Sequence, residues 1–381
     1  MWRFPFHSDN MSSLRWDDIK STYSWAKDME GVEQDPVFHA EGDVETHVKM
    51  VFEKLFSLNE FQELGEQDRA IMFASVLFHD VEKRSTTERE FKDGRMQVTS
   101  SGHARKGEST TRSILYRDIP TPFVVREMIS KLVKYHALPI RALERDNPIQ
   151  EVMKSGLACS NKLLTLLARA DMMGRISLVN DIPDLLYEVD SFAELCKDND
   201  CYDGPPLFAS DHTRYNFFNG KSALWHKDEL HDDTKLNMYI MCGVPASGKN
   251  HYVEQHLSHI PSVSMDDIRR QNGWTRNNKN DKGLVIQATK EAARVHLRAQ
   301  QDFVWNDTNV TRSTRDNLIS LALPYKPKIH IVYVERPYAK ILKDNSDRKH
   351  PVKRHAIDNY VNKMQVPELS EAHTVTYCVE D

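Results

Sequence analysis

The run GVPASGKN at residues 243–250 sets two glycines and a lysine at the spacing Gly-x-x-x-x-Gly-Lys. Between a strand and a helix, such a loop surrounds phosphate oxygens with backbone N–H groups, and the helix N-terminus adds its positive end. Gly243 and Gly248 allow the tight backbone, Ser247 lies in the cradle, and Lys249 reaches the β- and γ-phosphates of a nucleoside triphosphate. The next position usually carries a hydroxyl that helps hold Mg²⁺, but here it is Asn250. An amide oxygen is also a hard ligand, yet it projects farther and brings two donors. Just downstream, VSMDDIRR places Asp266 where a strand would end, poised to accept a proton from a hydroxyl. Arg269 lies three residues on, able to face the same cleft. Together these parts suit phosphoryl transfer, which needs a phosphate cradle, a base at the acceptor and positive charge on the moving group.

A second set lies upstream. His47, His79, Asp80, His103, His136 and Asp171 fall at helix ends or on otherwise apolar helix faces. Six imidazoles and carboxylates turned inward are costly to desolvate alone, and a cluster of metal ions relieves that cost.

The elements that must position these residues differ between the two sets. VETHVKMVFEKLF, the run 71–78, FVVREMISKLVKYH and NKLLTLLARAD repeat apolar residues at helical spacing, with few strand signals among them. From LNMYIMCG onward, short apolar runs (DFVWNDTN, KIHIVYVE) alternate with helical stretches, as in an α/β sheet that is mainly parallel. The polar, Gly- and Pro-bearing stretch between them reads as a connection. The expected organisation is therefore an all-helical domain over 1–204, a connector over 205–236 and a phosphate-binding α/β domain over 237–381.

Charge divides along the same line. Residues 237–381 hold 21 Lys and Arg against 16 Asp and Glu, whereas residues 1–236 hold 30 against 40. A mildly basic half suits a polyanion, and an acidic half suits metal cations. With a mean hydropathy of −0.60, no apolar run approaches the length that crosses a bilayer. The N-terminus lacks the pattern of a secretory signal. The five cysteines are scattered and form no C-x-x-C pair, so a reducing cytoplasm is expected rather than disulfides or zinc thiolates.

The series GVPASGKN, SMDDIRR, NDTN and NSDRKHP resembles, in order and spacing, the phage-type 5′-hydroxyl polynucleotide kinases. That resemblance makes Asp266 the general base and Arg269 the ligand of the acceptor's 3′ phosphate. It places Asp307, Thr308 and Asn309 on the acceptor side of the cleft, and Arg348 on a lid that clamps the transferring phosphate. Arg312 and Arg315 follow as contacts to nucleic-acid phosphate or as helix-surface charge. The ordered pattern H…HD…H…H…D, with HDVEK, SSGHARKG, KYHALP and ARADMMGR around it, resembles the HD phosphohydrolase superfamily over residues 44–175. It implies an all-α fold in which His47, His79, Asp80 and Asp171 hold one ion. Asp80 then bridges to a second ion held by His103 and His136, with Lys83 and Arg175 as phosphate contacts. Two such ions bind a phosphate and lower the pKa of a bridging water.

The whole chain resembles bacterial HD-domain polynucleotide kinase fusions. The implied function is healing of broken RNA ends: removal of a 2′ phosphate, with opening of a 2′,3′-cyclic ester as an added step, and phosphorylation of the 5′-hydroxyl. ATP or another nucleoside triphosphate, Mg²⁺ and two divalent ions are the implied cofactors. RNA or DNA ends, and an RNA ligase acting downstream, are the implied partners. The alternative, favoured by Asn250, is an HD hydrolase of nucleotides or signalling phosphates regulated by a nucleotide-sensing loop.

Overall fold

The computed structural model describes residues 1–92, 94–179, 181–220, 225–275 and 278–381, the side chains of 279 and 280 excepted. The chain divides into two compact units, Met1–Leu207 and Phe208–Asp381.

The first unit is built mainly from helices. Its principal ones are α1 (Val44–Ser57), α2 (Glu66–Phe78), α3 (His103–Arg117), α4 (Phe123–Tyr135), α5 (Pro148–Ala158), α6 (Asn161–Met173) and α7 (Ile182–Asp198). Local chemistry sets where they begin. The carboxylate of Asp43 accepts from the Thr46 N–H at 2.9 Å, and the Ser160 hydroxyl accepts from Leu163 N at 3.2 Å, each satisfying an orphan donor of a first turn. The apolar stripes of α1, α2 and α6 meet in a core that includes Val48, Val51, Phe52, Phe73, Leu77, Leu164 and Leu167. The expectation of an all-helical unit is corrected by an antiparallel hairpin, β1 (Glu88–Lys92) and β2 (Arg95–Thr99), paired from Glu88↔Thr99 to Lys92↔Arg95. All of β1 is exposed, so no buried face imposes the apolar alternation that would signal a strand.

The second unit begins inside the expected connector. Ser210 caps α8 (Asp211–Asn219), whose Arg214 donates to the carbonyl oxygens of Leu369 and His373. The stretch 205–236 therefore packs in part against the C-terminal end of this unit. There follow β3 (Leu236–Cys242), α9 (Lys249–His256), β4 (Ser262–Val263), α10 (Met265–Asn272), α11 (Lys279–Arg298), β5 (Phe303–Trp305), α12 (Arg312–Ala322), β6 (Pro327–Glu335), α13 (Tyr338–Ser346), α14 (Arg354–Asn362) and β7 (Thr374–Val379). The strands form one sheet in the order β4-β5-β3-β6-β7, every pair parallel. Near-continuous Ile, Val and Met runs in β3 and β6 follow from burial on both faces. Met241, Val304, Val332 and Val334 from three strands pack with Val253 of α9 and Leu257 just after it. The chain runs outward from β3 in one direction to β5 and β4, and in the other to β6 and β7. The crevice at the carboxyl ends of the strands beside β3 is the topological switch point where ligands bind in open sheets.

One buried ion pair braces this crevice. Arg315, on α12, is fully buried and donates to both carboxylate oxygens of Glu371 at 2.7 and 2.9 Å, and to the carbonyls of Asn309 and Gln365 at 3.0 Å each. Neither a nucleic-acid contact nor surface charge describes it, because its guanidinium is turned into the core. Replacing Arg315 by alanine leaves the buried Glu371 carboxylate only the longer 3.4 Å contact with Arg312, and we expect a cost of about 3 kcal/mol. Chemical denaturation of the variant checks this; stability within ~1 kcal/mol of the unaltered chain, the range of an ordinary surface change, refutes the brace.

Candidate functional sites

In the first unit, three histidines share one local device. His79 follows α2, His136 follows α4 and His103 opens α3. Each donates its Nδ1–H to the backbone carbonyl three residues earlier: Val76 at 2.8 Å, Val133 at 2.7 Å and Ser100 at 2.7 Å. A carbonyl only accepts, so each Nδ1 carries the proton and each Nε2 is left as a bare lone pair. The fourth, His47 on α1, is fixed by a carboxylate instead, its Nδ1 lying 3.0 Å from Glu41 Oε1.

The four Nε2 atoms converge. His47 and His79 approach to 3.4 Å and His103 and His136 to 3.3 Å, too close for lone pairs that have nothing positive between them. Asp80 lies between the two pairs. Its Oδ2 is 3.3 Å from His79 Nε2 and 3.7 Å from His47 Nε2, and its Oδ1 is 3.3 Å from His103 Nε2 and 3.9 Å from His136 Nε2. Asp171 on α6 completes the first group, 3.1 Å from His47 Nε2. Two ligand trios thus share one carboxylate: His47, His79 and Asp80, and Asp80, His103 and His136.

Protonation states agree with this donor chemistry. Burial holds His103 below its usual range and, with His103 beside it, holds His136 down to about 3. Burial works against ionisation of Asp80 and Asp171, yet Lys83 and His79 hold Asp80 well below the carboxylate range, and Arg175 and His47 do the same for Asp171. Burial disfavours charge on His79 too, but Asp80 raises it; a cation held among the nitrogens would take the place of that proton. Asp80 Oδ1 is buried and makes no hydrogen bond. The residues fit a pair of divalent ions.

Lys83 and Arg175 are also ligand-side residues here, but each is engaged: Lys83 Nζ with Asp80 at 2.8 Å and Gln34 at 2.7 Å, and Arg175 with Asp171 at 3.0 Å. Both line a cavity of about 950 Å³ that also meets His39, His103, Arg141 and the hairpin residues Glu90, Lys92 and Gln97. Glu41 and His39 are absent from the residues expected. Glu41 accepts from His39 at 2.8 Å and lies 3.0 Å from His47 Nδ1, and against burial these two imidazoles hold it far below the usual carboxylate range. They precede α1 in a loop, where no periodicity marks them; only the repeated His–Glu chemistry of HAE near a ligand histidine could have pointed there.

In the second unit, the loop after β3 turns as its glycines require. Gly243 has φ 153°, and a Cβ there would stand 2.4 Å from the Val334 carbonyl; Gly248, at φ 102°, opens α9. Lys249 bends back onto its own loop, donating to the carbonyls of Gly243 at 2.8 Å and Val244 at 2.9 Å. Burial lowers its ammonium to about 8. Gly243, Ser247 and Gly248 occupy the loop as expected, with Ser247 Oγ buried and without a hydrogen-bond partner.

A cavity of about 370 Å³ in front of the loop brings together Lys249, Asn250, Ser264, Asp266, Asn306, Asp307, Thr308 and Arg348. A second of similar volume is lined by Asp266, Arg269, Lys282, Asp307, Thr308 and Tyr360. Asp266, Asp307, Thr308 and Tyr360 belong to both. Burial pushes Asp307 up to about 7, opposed by a hydrogen bond from Met265 N at 3.3 Å. Two expectations are corrected. Asp266 does not end a strand: Ser264 caps α10, and Asp266 lies in its first turn, paired with Arg269 one turn on. Asn309 does not line the cleft. It is buried with φ 42°, its amide donating to the Met241 carbonyl at 2.8 Å, so it ties the loop after β5 to β3. Among the described residues, no helix is long and apolar enough to cross a membrane.

Residues 238–367 match the family described as "AAA domain". No curated protein matches the chain. Solved structures with local likeness include a protein assigned as a kinase from Chloroflexus aurantiacus j-10-fl, at 12% identity and TM-score 0.34 over 39% of this chain and 86% of the other. Another is an unliganded sugar kinase from Janibacter sp. HTCC2649, at 15% identity and TM-score 0.29 over 38% and 85%. The matched stretch holds the glycine loop after β3 and most of the parallel sheet around it.

Proposed function

We propose that the chain is a bifunctional end-healing enzyme, removing a 2′ phosphate in its first unit and phosphorylating a 5′-hydroxyl polynucleotide end in its second. The observation that carries the reading is the pair of ligand trios sharing Asp80, because a bridging carboxylate between two imidazole pairs is the donor set of a two-metal hydrolase. His47, His79, Asp80 and Asp171 would hold one divalent ion, and Asp80, His103 and His136 the other; bound, they supply Lewis acidity and an acidified water. Hydrolysis forms a P–O bond to the water oxygen and breaks the bond from phosphorus to the 2′ oxygen. Lys83 and Arg175 orient the two aspartates and present positive charge to the cavity where the phosphate lies.

In the second unit the loop N–H groups and Lys249 would hold the triphosphate of ATP or another nucleoside triphosphate, with Asn250 among the residues that would meet its Mg²⁺. Asp266 takes the proton of the 5′-hydroxyl as its oxygen bonds to the γ-phosphorus and the β–γ bridging bond breaks. Arg269 holds the acceptor's 3′ phosphate, and Arg348 offsets charge on the moving group. Asp307 and Thr308, common to both cavities, frame the point where donor and acceptor meet. RNA is the preferred substrate in this reading, since cleavage through a 2′,3′-cyclic phosphate leaves both damaged ends on one molecule; a ligase then consumes the products.

The test is a product assay on an RNA oligonucleotide bearing a 5′-hydroxyl and a 2′ phosphate. Asp80→Ala is expected to abolish phosphate release and to lower bound divalent metal, with 5′ phosphorylation unchanged. Equal loss of both activities in a folded variant contradicts independent sites. Transfer of labelled γ-phosphate to the 5′ end is expected to vanish in Asp266→Ala and to fall roughly 100-fold or more in Arg348→Ala, given the rate effect of phosphate-clamping arginines. Complete absence of transfer by the unaltered chain would favour the nucleotide-sensing reading instead.

A further inference from the structure

The position where a hydroxyl ordinarily meets Mg²⁺ is Asn250, and a second amide faces it. Asn306 follows β5, and its backbone N–H donates to the Val263 carbonyl at 2.9 Å, which pins it across the ends of β4 and β5. Its Nδ2 donates to Asn250 Oδ1 at 3.1 Å. Its Oδ1 is buried and makes no hydrogen bond. Both residues line the cavity in front of the loop, with Lys249, Ser264, Asp266 and Asp307. A buried amide oxygen without a donor has lost its hydration and gained nothing in return. The neighbouring charged groups are engaged elsewhere: Lys249 with its loop carbonyls, Asp266 with Arg269, Asp307 with Met265 N.

An amide oxygen is a hard, neutral ligand of the kind Mg²⁺ and Mn²⁺ accept. It carries no charge, so it adds nothing to the repulsion between triphosphate and carboxylates. Neither asparagine alone reproduces a hydroxyl on the first turn of α9. Asn250 projects farther than serine and would swing freely; Asn306 stops the swing by donating to its oxygen. We propose that Asn250 and Asn306 act as one unit, Asn306 Oδ1 facing the nucleotide's divalent ion as the oxygen that replaces the missing hydroxyl, while its Nδ2 fixes the Asn250 side chain. The inference rests on the loop binding a metal–nucleoside triphosphate, as in the kinase reading above, and not on the identity of the acceptor.

The test uses the full chain, a non-hydrolysable ATP analogue and Mn²⁺, with bound Mn²⁺ followed by electron paramagnetic resonance and analogue affinity measured with and without metal. In Asn306→Ala, the strengthening of analogue binding by Mn²⁺ is expected to fall roughly 10-fold, the usual effect of losing a metal's supporting group. Affinity in EDTA is expected to stay the same. Adding Asn250→Ser to Asn306→Ala is expected to restore the Mn²⁺ effect, because a hydroxyl returns to the position. Asn306→Asp keeps an oxygen and is expected to retain or strengthen Mn²⁺ binding. An unchanged Mn²⁺ effect in Asn306→Ala overturns the proposal. So does an equal loss of affinity in EDTA, which would make Asn306 a support of the loop, and so does failure of Asn250→Ser to restore. Phosphoryl transfer is not read, so a wrong acceptor assignment leaves the outcome unaffected.

Discussion

The proton on Nδ1 is the constraint from which the first unit follows. Val76, Val133 and Ser100 offer carbonyls three residues before His79, His136 and His103, and Glu41 offers a carboxylate to His47. With Nδ1 of His79, His136 and His103 committed in this way, and that of His47 beside a carboxylate, Nε2 of each ring is left to face the others. Four helices must then bring four lone pairs to within 3.3–3.4 Å in two pairs, an arrangement a hydrophobic core alone would never select. The apolar stripes around Phe73, Leu77 and Leu167 hold the rings there by packing, so stability of the scaffold is set against repulsion at its centre.

The second unit applies the same logic with opposite sign. There a buried ammonium rather than a set of lone pairs needs a partner, and strand order decides where it is placed. Because β3 lies inside the sheet with the chain crossing to both sides of it, the loops after β3, β4 and β5 meet at one crevice. The Arg315–Glu371 pair keeps the third of these loops in place from beneath. Asn309 anchors the same loop to β3, so Asp307 and Thr308 project from a backbone fixed at both ends.

Much of this is legible because the chemistry dictates local spacing. The glycine loop requires two glycines and a lysine at set positions, and the four histidines with Asp80 and Asp171 stand out as polar groups on apolar helix faces. What escapes a reading of the letters has physical reasons as well. The hairpin's first strand buries neither face, so nothing imposes period two on EREFK. Glu41 acts from a loop, where side-chain direction has no periodicity. Asn309 and Arg315 look like cleft or surface residues in a string of letters, yet both serve the core, since burial of an arginine depends on a glutamate 56 residues away. Asp266 stands one element beyond its expected place because a two-residue strand leaves no room for its own signature before Ser264 caps the next helix.

Lys249 makes the loop its own first occupant. Its ammonium closes on the carbonyls of Gly243 and Val244, so an arriving anion has to displace two good acceptors before it gains a cation. A chain of linked phosphates engages the loop N–H groups at the same time and tips the exchange. The resting contact thus makes ligand entry an exchange, in which Lys249 leaves two neutral acceptors for a charged one.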